Sequence, residues 1–194
     1  GFSLSDLQAG IQRQEKGWRL DLTQADVAGR IMLPDEGTKP IDIALQRLRL
    51  AATEHQADEL LPAMQPDGGA PATDPADPLE NISPSGLPPL DVKIEQLSLA
   101  SGPLGAVAFT LRPDATGARI PSLSLDLRGL KVEGSMDWRE APAHTVFKGT
   151  VSAGDIGQVL TAWEYAPTIT SKEFTTGAQL NWPGSPAMFS LRRS

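Results

Sequence analysis

From Pro89 to Trp138 apolar and polar residues alternate in four successive runs, and this constrains the fold more than any other feature of the chain. In Pro89–Ala100, Leu90, Val92 and Ile94 alternate with Asp91, Lys93 and Glu95; after a slip of one residue at Glu95-Gln96 the pattern resumes with Leu97 and Leu99. A period of two marks a strand with one buried face. One extra residue returns the following side chains to the same face, so the slip predicts a β-bulge. Val107, Phe109 and Leu111 form the second run, Leu123, Leu125 and Leu127 the third, and Val132, Gly134, Met136 and Trp138 the fourth. Ser101-Gly102-Pro103, Pro113-Asp114-Ala115-Thr116-Gly117 and Arg128-Gly129 supply turn chemistry between them. Buried parallel strands read as unbroken apolar runs, so the alternation predicts an antiparallel sheet with one wet face.

The same pattern extends towards the N-terminus. Leu4, Leu7 and Ile11, then Trp18, Leu20 and Leu22, then Val27, Gly29, Ile31 and Leu33 predict further strands, and Pro34-Asp35-Glu36-Gly37 a turn. Pro40–Ala51 carries the pattern of Pro89–Ala100 at an offset of 49 residues, slip included. Either two strands share a common pattern, or a strand unit is repeated along one long sheet. Residues 1–52 are therefore read as N-terminal strands of the sheet and 89–194 as its main segment. Residues 53–88 differ. Pro62, Pro66, Pro71, Pro75, Pro78, Pro84 and Pro88 punctuate a stretch rich in Ala, Asp and Gly. Such a composition buries too little apolar surface to offset its ordering entropy, so 53–88 is expected to be an acidic, mobile loop.

Beyond Trp138 the sequence predicts a loop at Arg139–Ala143 and a strand at His144–Val151. Ile156, Val159, Leu160 and Trp163 make one apolar stripe, which predicts a short helix over about 155–164 capped by Ser152 or Asp155. Ala178, Leu180 and Trp182 predict a strand, Pro183-Gly184-Ser185-Pro186 a turn, and Phe189 with Leu191 a last strand.

Charge and residue usage exclude several functions. The net charge is −7, and eight acids between Arg49 and Lys93 account for all of it, leaving a near-neutral remainder. No basic, aromatic-studded patch suits nucleic acid. Cysteine is absent, which excludes disulfides and thiol chemistry. No apolar run approaches the ~18 residues of a membrane-spanning helix. His55 and His144 have no second ligand at metal spacing. Ser152 lacks a nucleophile elbow and reads as a helix cap, and Asp58, Glu59, Asp74 and Asp77 read as solvated loop charges. No catalytic residue, metal ligand or cofactor is expected, and the chain is read as non-enzymatic. It starts Gly1-Phe2 and ends Arg192-Arg193-Ser194 after a strand-like run, as a piece of a longer protein would.

Four stretches carry a family resemblance: Leu123-Ser124-Leu125-Asp126-Leu127-Arg128-Gly129-Leu130, Val132-Glu133-Gly134-Ser135-Met136-Asp137-Trp138, Phe147 to Gly157 with its Gly154-Asp155-Ile156-Gly157 helix start, and Leu180-Asn181-Trp182-Pro183-Gly184-Ser185-Pro186. In order and spacing they resemble the large periplasmic proteins of the AsmA-like superfamily, of the YhdP type. Glu164 departs from the glycine expected before Tyr165. The resemblance implies an all-β fold in which a long, twisted, mostly antiparallel sheet curls into an open, taco-like groove with one short helix packed on it. It implies a periplasmic segment of a bacterial protein anchored in the inner membrane by parts outside this chain. The implied role is phospholipid transport between inner and outer membranes, with acyl chains lying on the apolar face of the groove. Candidate lining residues are Val107, Phe109, Leu111, Leu123, Leu125, Leu127, Val132, Met136, Trp138, Leu180 and Trp182. Two alternatives stay open: these side chains form a closed core beneath the helix, or the segment is a structural module that docks other envelope proteins without binding lipid.

Overall fold

The computed structural model describes residues 9–50, 77–100, 102–162, 166 and 171–189. Ten strands form one sheet in sequence order: β1 (Ala9–Gln14), β2 (Gly17–Thr23), β3 (Val27–Pro34), β4 (Ile41–Leu50), β5 (Leu90–Leu99), β6 (Gly102–Asp114), β7 (Gly117–Leu127), β8 (Leu130–Glu140), β9 (Ala143–Ala153) and β10 (Phe174–Pro183). β1 and β10 each have one neighbour, so the sheet is open and not a barrel. One helix, α1 (Ile156–Ala162), follows β9.

Every neighbouring pair is antiparallel except β4 and β5, which run parallel. Their partners differ by 49 in number throughout, from Ile41↔Leu90 to Leu50↔Leu99. The internal repeat is thereby explained. Parallel neighbours in register must place their apolar side chains and their extra residue at the same height, or one strand turns to the wrong face. Both strands jump together, Leu45↔Ile94 being followed by Leu48↔Leu97, and each is bulged against its antiparallel neighbour at that height. A parallel pair needs a long crossover, which residues 51–89 supply.

Bulges recur in the middle strands and add local bend and twist. Gly29 and Gly105 sit beside the bulges of β4 and β5 with φ of 150° and 142°, where a side chain would collide with the backbone of the next strand. Pro121 lies in the bulge between Ile120 and Leu123, where its missing N–H costs no ladder bond. The β7–β8 hairpin turns on Arg128 and Gly129, both at positive φ (49° and 85°), which matches the twist of the strands on either side.

Several boundaries differ from the sequence expectation. β8 and β9 run up to Glu140 and Ala143, so the predicted loop shrinks to a tight turn at Ala141 and Pro142. Asp155, not Ser152, caps α1: its Oδ1 accepts the Gly157 N–H at 2.8 Å. Phe189 is not in a strand. It follows the short 3-10 turn Pro186–Met188 and packs edge-on against Trp182, with ring centroids 5.1 Å apart. Leu4, Leu7, His55, Trp163, Glu164 and Leu191 lie outside the described residues, as do 53–76 of the expected loop. Residues 77–88 of that loop are packed on the sheet, through a 3-10 turn at Pro84–Gly86 with Pro84 buried and Leu87 against Leu111, Ala118 and Ile120.

Candidate functional site: the apolar face of the sheet

Register places all eleven candidate residues on one face. Val107 pairs with Leu125 and Leu125 with Val132; Phe109 pairs with Leu123; Met136 pairs with Phe147 and Phe147 with Leu180; Trp138 and Trp182 both pair with Thr145. Leu111 lies opposite Leu90, and Leu127 two residues on from Leu125. The face continues beyond them through Ile94, Leu45, Ile43, Ile31 and Leu20 towards β1. The other face carries Arg19, Asp21, Arg30, Asp91, Arg112, Asp126 and Lys131, in cross-strand or next-but-one ion pairs such as Arg112 Nη2 to Asp91 Oδ1 at 2.6 Å. Exposed pairs like these add little stability, about 0–1 kcal/mol each, but they keep that face wet.

The eleven residues fall into two groups. Leu111, Trp138 and Trp182 are buried, with 5%, 6% and 3% exposed. They lie at the strand ends covered by residues 77–89 and 183–189. Val107, Phe109, Leu123, Leu125, Leu127, Val132, Met136 and Leu180 are half-buried. Side neighbours in the sheet give them that partial cover. α1 meets the opposite strand ends: Val159 lies against Gly129, and the Arg128 guanidinium donates to the Ala162 carbonyl at 2.9 Å. Among the described residues the helix is therefore an end-piece rather than a roof.

The covered end is built from polar contacts that the sequence did not announce. Asp77 accepts the Ser185 N–H at 2.8 Å and the Ser185 hydroxyl at 2.6 Å, and its other contact is the Leu79 N–H at 2.9 Å. Burial pushes the Asp77 carboxyl up, but these donors together hold it below the usual carboxylate range. Glu140 Oε1 takes the Ser83 hydroxyl, the Ser85 N–H and the Ser85 hydroxyl, which hold that carboxyl below its ordinary value too. Thr145, the one polar side chain among these paired positions, is fully buried and donates to the Gly184 carbonyl at 2.8 Å. Trp182 Nε1 donates to the Ser185 carbonyl at 2.9 Å. A proline-rich acidic stretch names no partner in advance, and Ser185 read only as turn chemistry.

Among the described residues no group of three or more His, Cys, Asp or Glu could hold a metal ion. His144 stands on the polar face with Nδ1 2.7 Å from the Pro142 carbonyl. No helix among the described residues is long and apolar enough to cross a membrane.

Comparison with known proteins gives one finding. No curated protein and no solved structure matches the chain. The family described as YhdP protein matches it over residues 1–194. The match spans the whole chain, the acidic crossover included, and the chain belongs to the YhdP family.

Proposed function

We propose that the middle of the apolar face carries phospholipid acyl chains, in a periplasmic segment of a bacterial inner-membrane-anchored protein that moves phospholipid between the two membranes. The observation that carries this reading is the half-buried band Val107–Leu125–Val132, which is apolar, in register across strands and left uncovered by the described end-pieces. Hydrocarbon burial stabilises by about 25 cal/mol per Å² and requires no hydrogen-bond donors, so a smooth aliphatic band suits chains that slide. A contiguous apolar band left partly open to water also favours a bound apolar partner. Membrane contact falls to other parts of the parent protein, and the segment does no covalent chemistry.

The test uses Leu125 and its neighbour Ser124 on the polar face. A photo-crosslinking residue at Leu125 in the full-length protein should capture phospholipid, and one at Ser124 should not. Leu125→Asp, which places a charge that is costly to desolvate in the band, should abolish envelope integrity in a folded protein, whereas Ser124→Lys should be silent. Equal capture at both positions, or wild-type function with Leu125→Asp, overturns the reading and leaves a module that docks envelope proteins.

A further inference from the structure

Residues 77–87 occupy one end of the apolar face, and their mode of attachment is unlike that of any strand. Their backbone-to-backbone hydrogen bonds are internal: Glu80 N–H to Asp77, Ile82 N–H to Leu79, Gly86 N–H to Ser83 and Leu87 N–H to Pro84. None of these joins the ladder of the sheet. The segment is held instead by side chains at two points, Asp77 on Ser185 and Glu140 on Ser83 and Ser85. Its apolar grip consists of Pro84 and Leu87. Beneath it lie Leu111, Ala118 and Ile120, which share the face of Val107, Leu125 and Val132. The floor is therefore the same apolar surface continued to the strand ends, and the segment is what interrupts it.

A segment without ladder bonds opens at lower free energy than the strands it rests on. We propose that residues 77–87 form a displaceable plug, latched by Asp77 and Glu140, whose release extends the apolar face to the strand ends and is required for lipid to pass that end. The passage part rests on the lipid reading above; the displacement part does not.

Two experiments separate them. The chain has no cysteine of its own, so introduced thiols are unique within it. In the purified segment, Ile120→Cys reports the covered floor and Leu125→Cys the open band. Alkylation by a maleimide should be slow at position 120 and fast at 125. Asp77→Asn with Glu140→Gln removes the charge-assisted bonds of both latches, so labelling at 120 should rise about tenfold while 125 is unchanged. Equal labelling at 120 in both backgrounds means that the segment does not open by these latches, and overturns the proposal. In the full-length protein, Ser83→Cys and Glu140→Cys joined by a short bis-maleimide should remove phospholipid photo-capture at Ile120 and leave it at Leu125. Capture at Ile120 that survives the tether, or that never occurs with the latch free although Leu125 captures, overturns the plug. Absence of capture at Leu125 itself removes the lipid reading alone, and the alkylation result then decides whether the segment is displaceable.

Discussion

The ring of Phe147 lies over Gly134. The two stand on β9 and β8, where Gly134 faces Gly149, and a methyl group added to Gly134 would collide with the Lys148 carbonyl oxygen and come within 2.7 Å of the Gly149 Cα and 2.9 Å of the ring. The paired glycines leave a shallow bed in the apolar face and the ring fills it, so Phe147 is 4% exposed. An aromatic ring laid across strand glycines restores the packing that they lack. Gly134→Val should force β8 and β9 apart, push the ring off this bed and cost about 1–3 kcal/mol or more. Phe147→Ala should cost about 3–5 kcal/mol, and the double variant should lose less than the sum because the two share one contact. Urea denaturation of the four proteins measures this.

Acid should destabilise the covered end of the sheet. Asp114 accepts the Thr116 N–H and hydroxyl and the Arg139 guanidinium, which hold its carboxyl far below the ordinary range; Glu140 and Asp77 are held down as well. A carboxyl with a depressed folded-state pKa contributes stability that is fully present above its unfolded pKa and lost as pH falls through the folded one. The thermal midpoint should thus be flat from neutral pH to about 4, near the unfolded value, and fall below it. Asp114→Asn should fall less steeply over that acid range. An equal slope would show that Asp114 is not among the groups responsible.

The seven-residue α1 depends on its cap. Asp155→Ala removes the acceptor for the Gly157 N–H and should cost about 0.5–2 kcal/mol. Asp155→Ser should recover most of it. Because α1 sits at the strand ends, photo-capture at Leu125 should survive Asp155→Ala in protein that remains folded.

The extra residue in β5 sets which way Leu97 and Leu99 face. Deleting Gln96 leaves the matching bulge in β4 and turns both leucines to the polar side. Two leucines lost from a half-buried face cost about 2–5 kcal/mol, enough to show as a drop in the urea midpoint. Deletion of Ala115, in a turn and exposed, should be far milder.

Much of this fold is legible in the sequence because period two is a local property. Leu90 to Leu99 announce both the strand and its bulge, and Ile156 with Val159 the helix. Direction is not local: the pattern of Pro40–Ala51 is the same whether it meets Pro89–Ala100 parallel or antiparallel, and the shared slip became informative only with the register known. Cover is not local either. Leu125 and Trp138 read alike as apolar strand positions, yet one is half-buried and the other is buried at the covered end. Composition did not announce where residues 77–88 sit, because three serines and two carboxylates, Ser83 and Ser85 with Glu140 and Ser185 with Asp77, anchor the segment at little cost in apolar residues.

The parallel β4–β5 pair also bears on how the chain reaches its native state. Two strands with one pattern and one bulge at equal height are interchangeable templates: β6 can zip onto β4 as well as onto β5, and β3 onto β5 as well as onto β4. The hairpin β5–β6 closes across two residues, 100 and 101, whereas β4 must find β5 across residues 51–89. Closure of the longer loop is slower, so the local hairpins form first and each claims one side of its own strand. On this order of closure the last step is the docking of two ladders, β1–β4 and β5–β10, along edges whose partners differ by 49 throughout. The repeat that makes the docking surfaces fit is also what makes a strand exchange between two chains the characteristic error of this sheet.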